Sequence, residues 1–123
     1  IISQIKTLDV GETVGYSRTG KVKKQTKIGV IAIGYADGFS RGFSNGVGQV
    51  LVNGKLAPII GNVCMDMSMI DLTDIEAEEG DAVIIFGEGI PIQEVAMKIN
   101  TIPYEILTNT SDRVKRVFVA ESI

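Results

Sequence analysis

Three short segments hold most of the side chains that could do chemistry. In Gly34-Tyr35-Ala36-Asp37-Gly38 a phenol and a carboxylate sit two residues apart between glycines. The segment follows a β-branched run, where a strand must turn and polar groups emerge. In Gly61-Asn62-Val63-Cys64-Met65-Asp66-Met67 an extended backbone places Asn62, Cys64 and Asp66 on one face and Val63, Met65 and Met67 on the other. Gly15-Tyr16-Ser17-Arg18 sets a guanidinium two positions from a tyrosine, on the same strand face. With no histidine in the chain, imidazole acid–base catalysis, a Ser-His-Asp triad and every His-containing metal site are excluded. The single cysteine excludes an internal disulfide and a thiolate cage, so no metal site is expected, and it fits a reducing compartment. Each segment also has a plainer reading. Tyr35 would pack its ring over a turn made by Asp37-Gly38, and Tyr16 would be a half-buried strand tyrosine. Cys64 would be an inert buried thiol among methionine filler, with no positive neighbour in sequence.

The elements that must carry these residues are mostly strands. Fourteen glycines punctuate short β-branched segments in a chain of 123 residues that is 45% hydrophobic and 22% charged, enough for one domain with a core. Ile2–Leu8 and Thr13–Ser17 read as the first strands, joined through Asp9-Val10-Gly11. Lys27–Ala36 and Ala82–Phe86 read as buried strands, and Met67–Leu72 alternates with Ser68, Ile70 and Leu72 on one face. Gly48–Val52 and Lys55–Gly61 flank Asn53-Gly54, the pair that supplies two positive φ angles to a type I′ hairpin. After Pro91, at the first helical position, Ile92, Val95, Ala96 and Ile99 recur at helical spacing, predicting a helix of about ten residues. A second short helix begins at Pro103, and Arg113–Ala120 returns to strand. The expected fold is mainly β: an antiparallel, Greek-key-like, partly open β-barrel with one or two short helices, which hides many strand edges. Lys21–Lys27 and Asp74–Asp81 are expected to be solvated turns. Twelve basic against 15 acidic side chains give a net charge of −3, which argues against a nucleic-acid or anionic-membrane partner. No apolar run approaches the ~20 residues a membrane span needs. The chain opens Ile1-Ile2-Ser3 without an initiator Met, and is expected to be part of something longer.

Four segments occur in a telling order: Gly11-Glu12-Thr13-Val14-Gly15-Tyr16, Ile33-Gly34-Tyr35-Ala36-Asp37-Gly38, Ala57-Pro58-Ile59-Ile60-Gly61 and Val63-Cys64-Met65-Asp66. In wording and order they resemble the C-terminal β-domain of bacterial alanine racemases. Tyr104-Glu105-Ile106 resembles the helix near the end of that domain, and Arg113-Val114-Lys115-Arg116-Val117-Phe118 its terminal Arg-Val-Pro-Arg stretch. The resemblance spans nearly the whole chain.

It implies a cytoplasmic bacterial enzyme that interconverts L-alanine and D-alanine for peptidoglycan synthesis. Pyridoxal phosphate would be carried on a lysine of an N-terminal (β/α)8 barrel that is not in this chain, so the isolated domain is expected to be inactive. The enzyme would be a homodimer with shared active sites, each taking its second acid–base group from the β-domain of the other subunit. That group maps onto Tyr16, 19 residues before Tyr35, a spacing the family shares. Met65 maps onto the residue whose backbone N–H holds the substrate carboxylate, flanked by Cys64 and Asp66, and Tyr35 onto a tyrosine lining substrate access. A free phenol titrates near ~10, so a tyrosine base at neutral pH needs roughly 4 kcal/mol of help, which the resemblance places on the barrel domain. Asn62 stands where many members have arginine, Asp112 where many have a tyrosine that touches the cofactor phosphate, and Lys115 where they have proline. Three other readings stand beside it: the β-domain of a related pyridoxal-phosphate decarboxylase, a serine racemase, and a non-catalytic β-barrel assembly module. The pairing of Gly-Tyr-Ala-Asp-Gly with Cys-Met-Asp favours a racemase over the decarboxylase, and aromatics at only 6% give the module little to bind with.

Overall fold

The computed structural model describes residues 1–8, 13–14, 20–21, 25–111 and 114. Among them lie eight strands: β1 (Ile2–Leu8), β2 (Thr13–Val14), β3 (Gly20–Lys21), β4 (Thr26–Ile31), β5 (Gln49–Val52), β6 (Lys55–Pro58), β7 (Ser68–Asp71) and β8 (Val83–Ile84). Two short helices follow, α1 (Ile92–Met97) and α2 (Pro103–Thr108). All pairing is antiparallel, in the orders β1-β4-β7, β2-β3 and β6-β5-β8. β4 skips the intervening hairpin to pair with β7, and β5 reaches past β7 to β8, which are Greek-key connections.

The two larger sheets meet at two narrow seams. At one, Ile59 and Ile70 form a single bridge beside an Ile60 N–H donating to the Met69 carbonyl at 2.9 Å. At the other, the Ile2 N–H donates to the Asp81 carbonyl (2.9 Å) and the Gly80 N–H returns to the Ile2 carbonyl (2.8 Å). The result is a partly open barrel. Its inward residues, among them Ile2, Ile31, Val50, Val52, Ile59, Val63, Ile70 and Leu72, form one buried cluster. Each such side chain contributes about 1.5–3 kcal/mol by leaving water.

Local chemistry explains the elements. Asn53 (φ +49°) and Gly54 (φ +80°) occupy the two central positions between Val52 and Lys55, as a type I′ hairpin requires. β7 buries Ser68 and Ile70 on one face and half-buries Met69 and Asp71 on the other, Met69 against Leu8 and Ile28, matching the alternation. Pro103 opens α2 as its first residue.

Several expected boundaries move. Strand does not continue over Lys27–Ala36: β4 stops at Ile31, where its ladders with Ile2 and Ser68 end, and Tyr35–Asp37 forms a 3-10 turn. Lys55–Gly61 is strand only to Pro58. Ala82–Phe86 is not a buried strand. It pairs for two residues at a sheet edge, and Ile84 is exposed. α1 is six residues long, with Pro91 extended just ahead of it rather than at its first position, and the chain turns away at Asn100 (φ +55°). Its buried face, Val95 and Ala96, is the one the spacing gave. The expected strand at Thr13–Ser17 beyond Val14, its link to β1, and Arg113–Ala120 apart from Val114 lie outside the described residues.

The acidic segment Asp74–Asp81 does more than meet solvent. The Asp81 carboxylate accepts from the Asn53 side-chain amide (3.0 Å) and the Glu78 backbone N–H (2.9 Å), tying the hairpin tip to the β1 seam. Nearby, the Lys27 ammonium donates to the Ile75 carbonyl at 2.7 Å. The Asn53 amide, and then the Glu78 N–H, hold the Asp81 carboxyl below its usual 3.8, with burial opposing. A depressed carboxyl contributes stability that is full above its unfolded value and is lost as pH falls through its folded value. The urea midpoint of the wild type should therefore exceed that of Asp81→Asn at neutral pH. The gap should narrow as pH drops below about 4, and a gap that widens there would contradict the clamp.

Candidate active-site face

The site is built by fastening one loop to another. β6 and β7 form a wide hairpin whose tip is 61–67, closed by the Cys64 N–H donating to the Met67 carbonyl (3.0 Å), with Met65 and Asp66 outermost. This is not a strand, so the two-face reading of that segment fails. Val63 is buried, but Met65 and Met67 are 52% and 43% exposed, and Cys64 is only half-buried. At that exposure the two methionines are not core filler. The Cys64 thiol donates to the Asn62 carbonyl at 3.6 Å.

The Gly34–Gly38 turn docks directly on this tip. The Tyr35 N–H donates to the Cys64 carbonyl (2.9 Å) and the Ala36 N–H to the Met65 carbonyl (3.0 Å). Gly34 makes that approach sterically open: a Cβ there would lie 2.1 Å from the Cys64 oxygen and 2.4 Å from the Met65 oxygen. Asp37 is structural. One carboxylate oxygen caps the Gly34 N–H at 2.9 Å, and the Asp37 carbonyl accepts from Ser111. Gly38, at φ +101°, ends the turn where a side chain would strike the Asn109 carbonyl. Ser68, buried in β7, donates to the Ile33 carbonyl at 2.6 Å and fixes the approach to Gly34. Phe39 and Phe43 stack inward with centroids 4.9 Å apart, leaving Tyr35 outward, 39% exposed, with the Arg41 guanidinium 5.9 Å over its ring.

One surface therefore gathers Tyr35, Cys64, Met65 and Asp66, with Asn62 at its margin. The Met65 N–H has no acceptor among the described residues. A backbone donor at an exposed loop tip on which the Tyr35 turn docks is suited to one carboxylate oxygen. Tyr16 and Asp112 lie outside the described residues. The sequence did not point to Arg41, Ser44 or Asn45, although Asn45-Gly46 is a second turn dipeptide that could have marked that region. Among the described residues there is no group of three or more His, Cys, Asp or Glu placed to hold a metal, and no helix long and apolar enough to cross a membrane.

The family model for the alanine racemase C-terminal domain matches residues 1–118. An alanine racemase of Helicobacter pylori strain J99 is 46% identical over 122 residues, covering 96% of this chain and 32% of that protein. The fold superposes on the biosynthetic alanine racemase of Pseudomonas aeruginosa with a TM-score of 0.90 at 38% identity, covering 97% of this chain and 33% of that one. It does so equally on the Bartonella henselae alanine racemase with covalently bound pyridoxal phosphate (TM-score 0.90, 38% identity, 96% and 33% covered). The chain thus spans about a third of the length of these relatives. Matches of this breadth favour the alanine racemase reading over the decarboxylase, the serine racemase and the assembly module. The chain belongs to the alanine racemase family and corresponds to its C-terminal domain.

Proposed function

We propose that this chain is the C-terminal domain of a cytoplasmic bacterial enzyme that interconverts L-alanine and D-alanine for peptidoglycan synthesis. It completes an active site built mainly by an N-terminal barrel, and in a homodimer it does so for the other subunit. The observation that carries the reading is the docking of Tyr35-Ala36 on Cys64-Met65. It puts Tyr35 and the Met65 N–H, which has no acceptor among the described residues, on one exposed face that another protein surface can cover.

Pyridoxal phosphate supplies the electron sink that makes an amino-acid Cα–H acidic. The described face does not fit the cofactor itself. A phosphorylated aldehyde needs an amine to bond and several N–H donors for its phosphate. This face offers one backbone donor and the Arg41 guanidinium. Cofactor anchoring is therefore assigned to the N-terminal barrel. This domain's share is on the substrate side. The Met65 N–H holds a carboxylate oxygen and so fixes which face of Cα is presented. The Tyr16 phenol oxygen takes or returns the α-proton on one face, while Tyr35 lines substrate access, flanked by Asn62, Cys64 and Asp66.

The test is direct. The full two-domain protein, supplied with pyridoxal phosphate, should convert L-alanine to a mixture approaching equal D and L, read by D-amino-acid oxidase coupling. The purified 123-residue chain should give no turnover. Conversion by the chain alone, or none by the two-domain protein, would remove the reading.

A further inference from the structure

One short segment, residues 40–45, touches both halves of the site. At one end the Arg41 guanidinium lies over the Tyr35 ring, 5.9 Å from its centroid. At the other, the Ser44 hydroxyl accepts the Val63 N–H at 2.8 Å, two residues before Met65. Beside it the Asn45 N–H donates to the Gly61 carbonyl (2.8 Å), and its side-chain amide donates to the Asn62 side-chain oxygen (3.1 Å). The two ends are locked together, because the Ser44 N–H donates back to the Arg41 carbonyl at 3.0 Å. Asn45 holds φ +56°, a conformation asparagine tolerates better than most residues.

We propose that Ser44 and Asn45 are positioning residues. They hold the 61–63 backbone so that the Met65 N–H stays aligned beside Tyr35. Asn62, at the margin of substrate access, serves them as an anchor. The kinetic consequence rests on the alanine racemase reading; the geometry does not. The Asn62 side-chain oxygen accepts from the Asn45 amide, a role that an arginine, which carries only donors, could not fill.

Two variants separate this role from general stability. Ser44→Ala removes the acceptor of the Val63 N–H, while Asn45→Gly keeps the positive φ and deletes the amide. In the two-domain protein each should raise KM for L-alanine about 5–10-fold, the factor of one lost hydrogen bond, with kcat changed less than about twofold. Ser44→Thr should restore KM. Hydrogen exchange gives a second readout that needs no activity. The Tyr35 and Ala36 amides, which neither substitution touches, should exchange faster in both variants. Faster exchange in a protein that does not racemise alanine keeps the brace and removes the racemase reading. Unchanged KM and unchanged exchange in the double variant, or a loss confined to kcat, overturn the brace.

Discussion

Tyr16→Phe in the two-domain enzyme should lower kcat for L-alanine by about 10²–10⁴-fold, the usual contribution of one positioned general base. The substitution keeps the ring and deletes the only ionisable atom, so stability should change little. KM should also change little, because proton transfer is made only in the transition state. Tyr35→Phe serves as the contrast. Its ring is outward with the Arg41 guanidinium over it, and its backbone rather than its hydroxyl makes the contact to Cys64. Its effect should therefore fall on KM, several-fold at most. Steady-state kinetics of both variants in both directions check the assignment. Equal losses of kcat in the two would show that the spacing to Tyr35 misassigned the base.

Gly34→Ala should be among the most damaging single changes on the described site face. Gly34 is extended (φ −146°), a conformation alanine adopts freely, so the whole penalty comes from contact. The new methyl would sit 2.1–2.5 Å from backbone atoms of Cys64 and Met65, which have no rotamer to give. Relief requires the turn to lift from the loop, breaking the Tyr35–Cys64 and Ala36–Met65 hydrogen bonds at roughly 1 kcal/mol each. Distorting the packing beneath adds a further 1–3 kcal/mol. A loss of about 3–5 kcal/mol is a large share of a domain's stability, and urea unfolding of the chain measures it. A variant that stays folded should bind alanine poorly, since Met65 and Tyr35 would no longer share a face. A stability change under about 1 kcal/mol would mean that the close approach is not needed.

How far the sequence foretold these features depends on whether a signal is local. The Asn53-Gly54 hairpin was legible to the residue because a type I′ turn demands two positive φ angles in succession, and few dipeptides supply them. β1 and the opening of α2 at Pro103 were legible for similar reasons. Strand ends were not. Lys27–Ala36 is apolar well past Ile31, but a ladder stops where its partners stop, and Ile2 and Ser68 are distant in sequence. The 61–67 tip has the alternation of a strand, yet its backbone is claimed by the Gly34 turn, a contact no periodicity reveals. Ser44 and Asn45 were invisible for the same reason, acting on partners 19 and 17 residues away. Asp81 is one charge among several in an acidic stretch of sequence, and only the fold brings its carboxylate to Asn53. Tyr16 was singled out by resemblance rather than by its own neighbourhood.

The proposed donation of a tyrosine acid–base group by this domain to a racemase site is tested most directly by exchange of the α-proton with solvent. Two-domain enzyme carrying Tyr16→Phe would be incubated in deuterated water with L-alanine and, separately, with D-alanine, and label at Cα followed before racemisation is complete. If Tyr16 serves only the L face, label should enter slowly from L-alanine, down by the same ~10²–10⁴-fold, and persist from D-alanine. Exchange from L-alanine at near the wild-type rate in Tyr16→Phe, with its loss in Tyr35→Phe, would contradict the account.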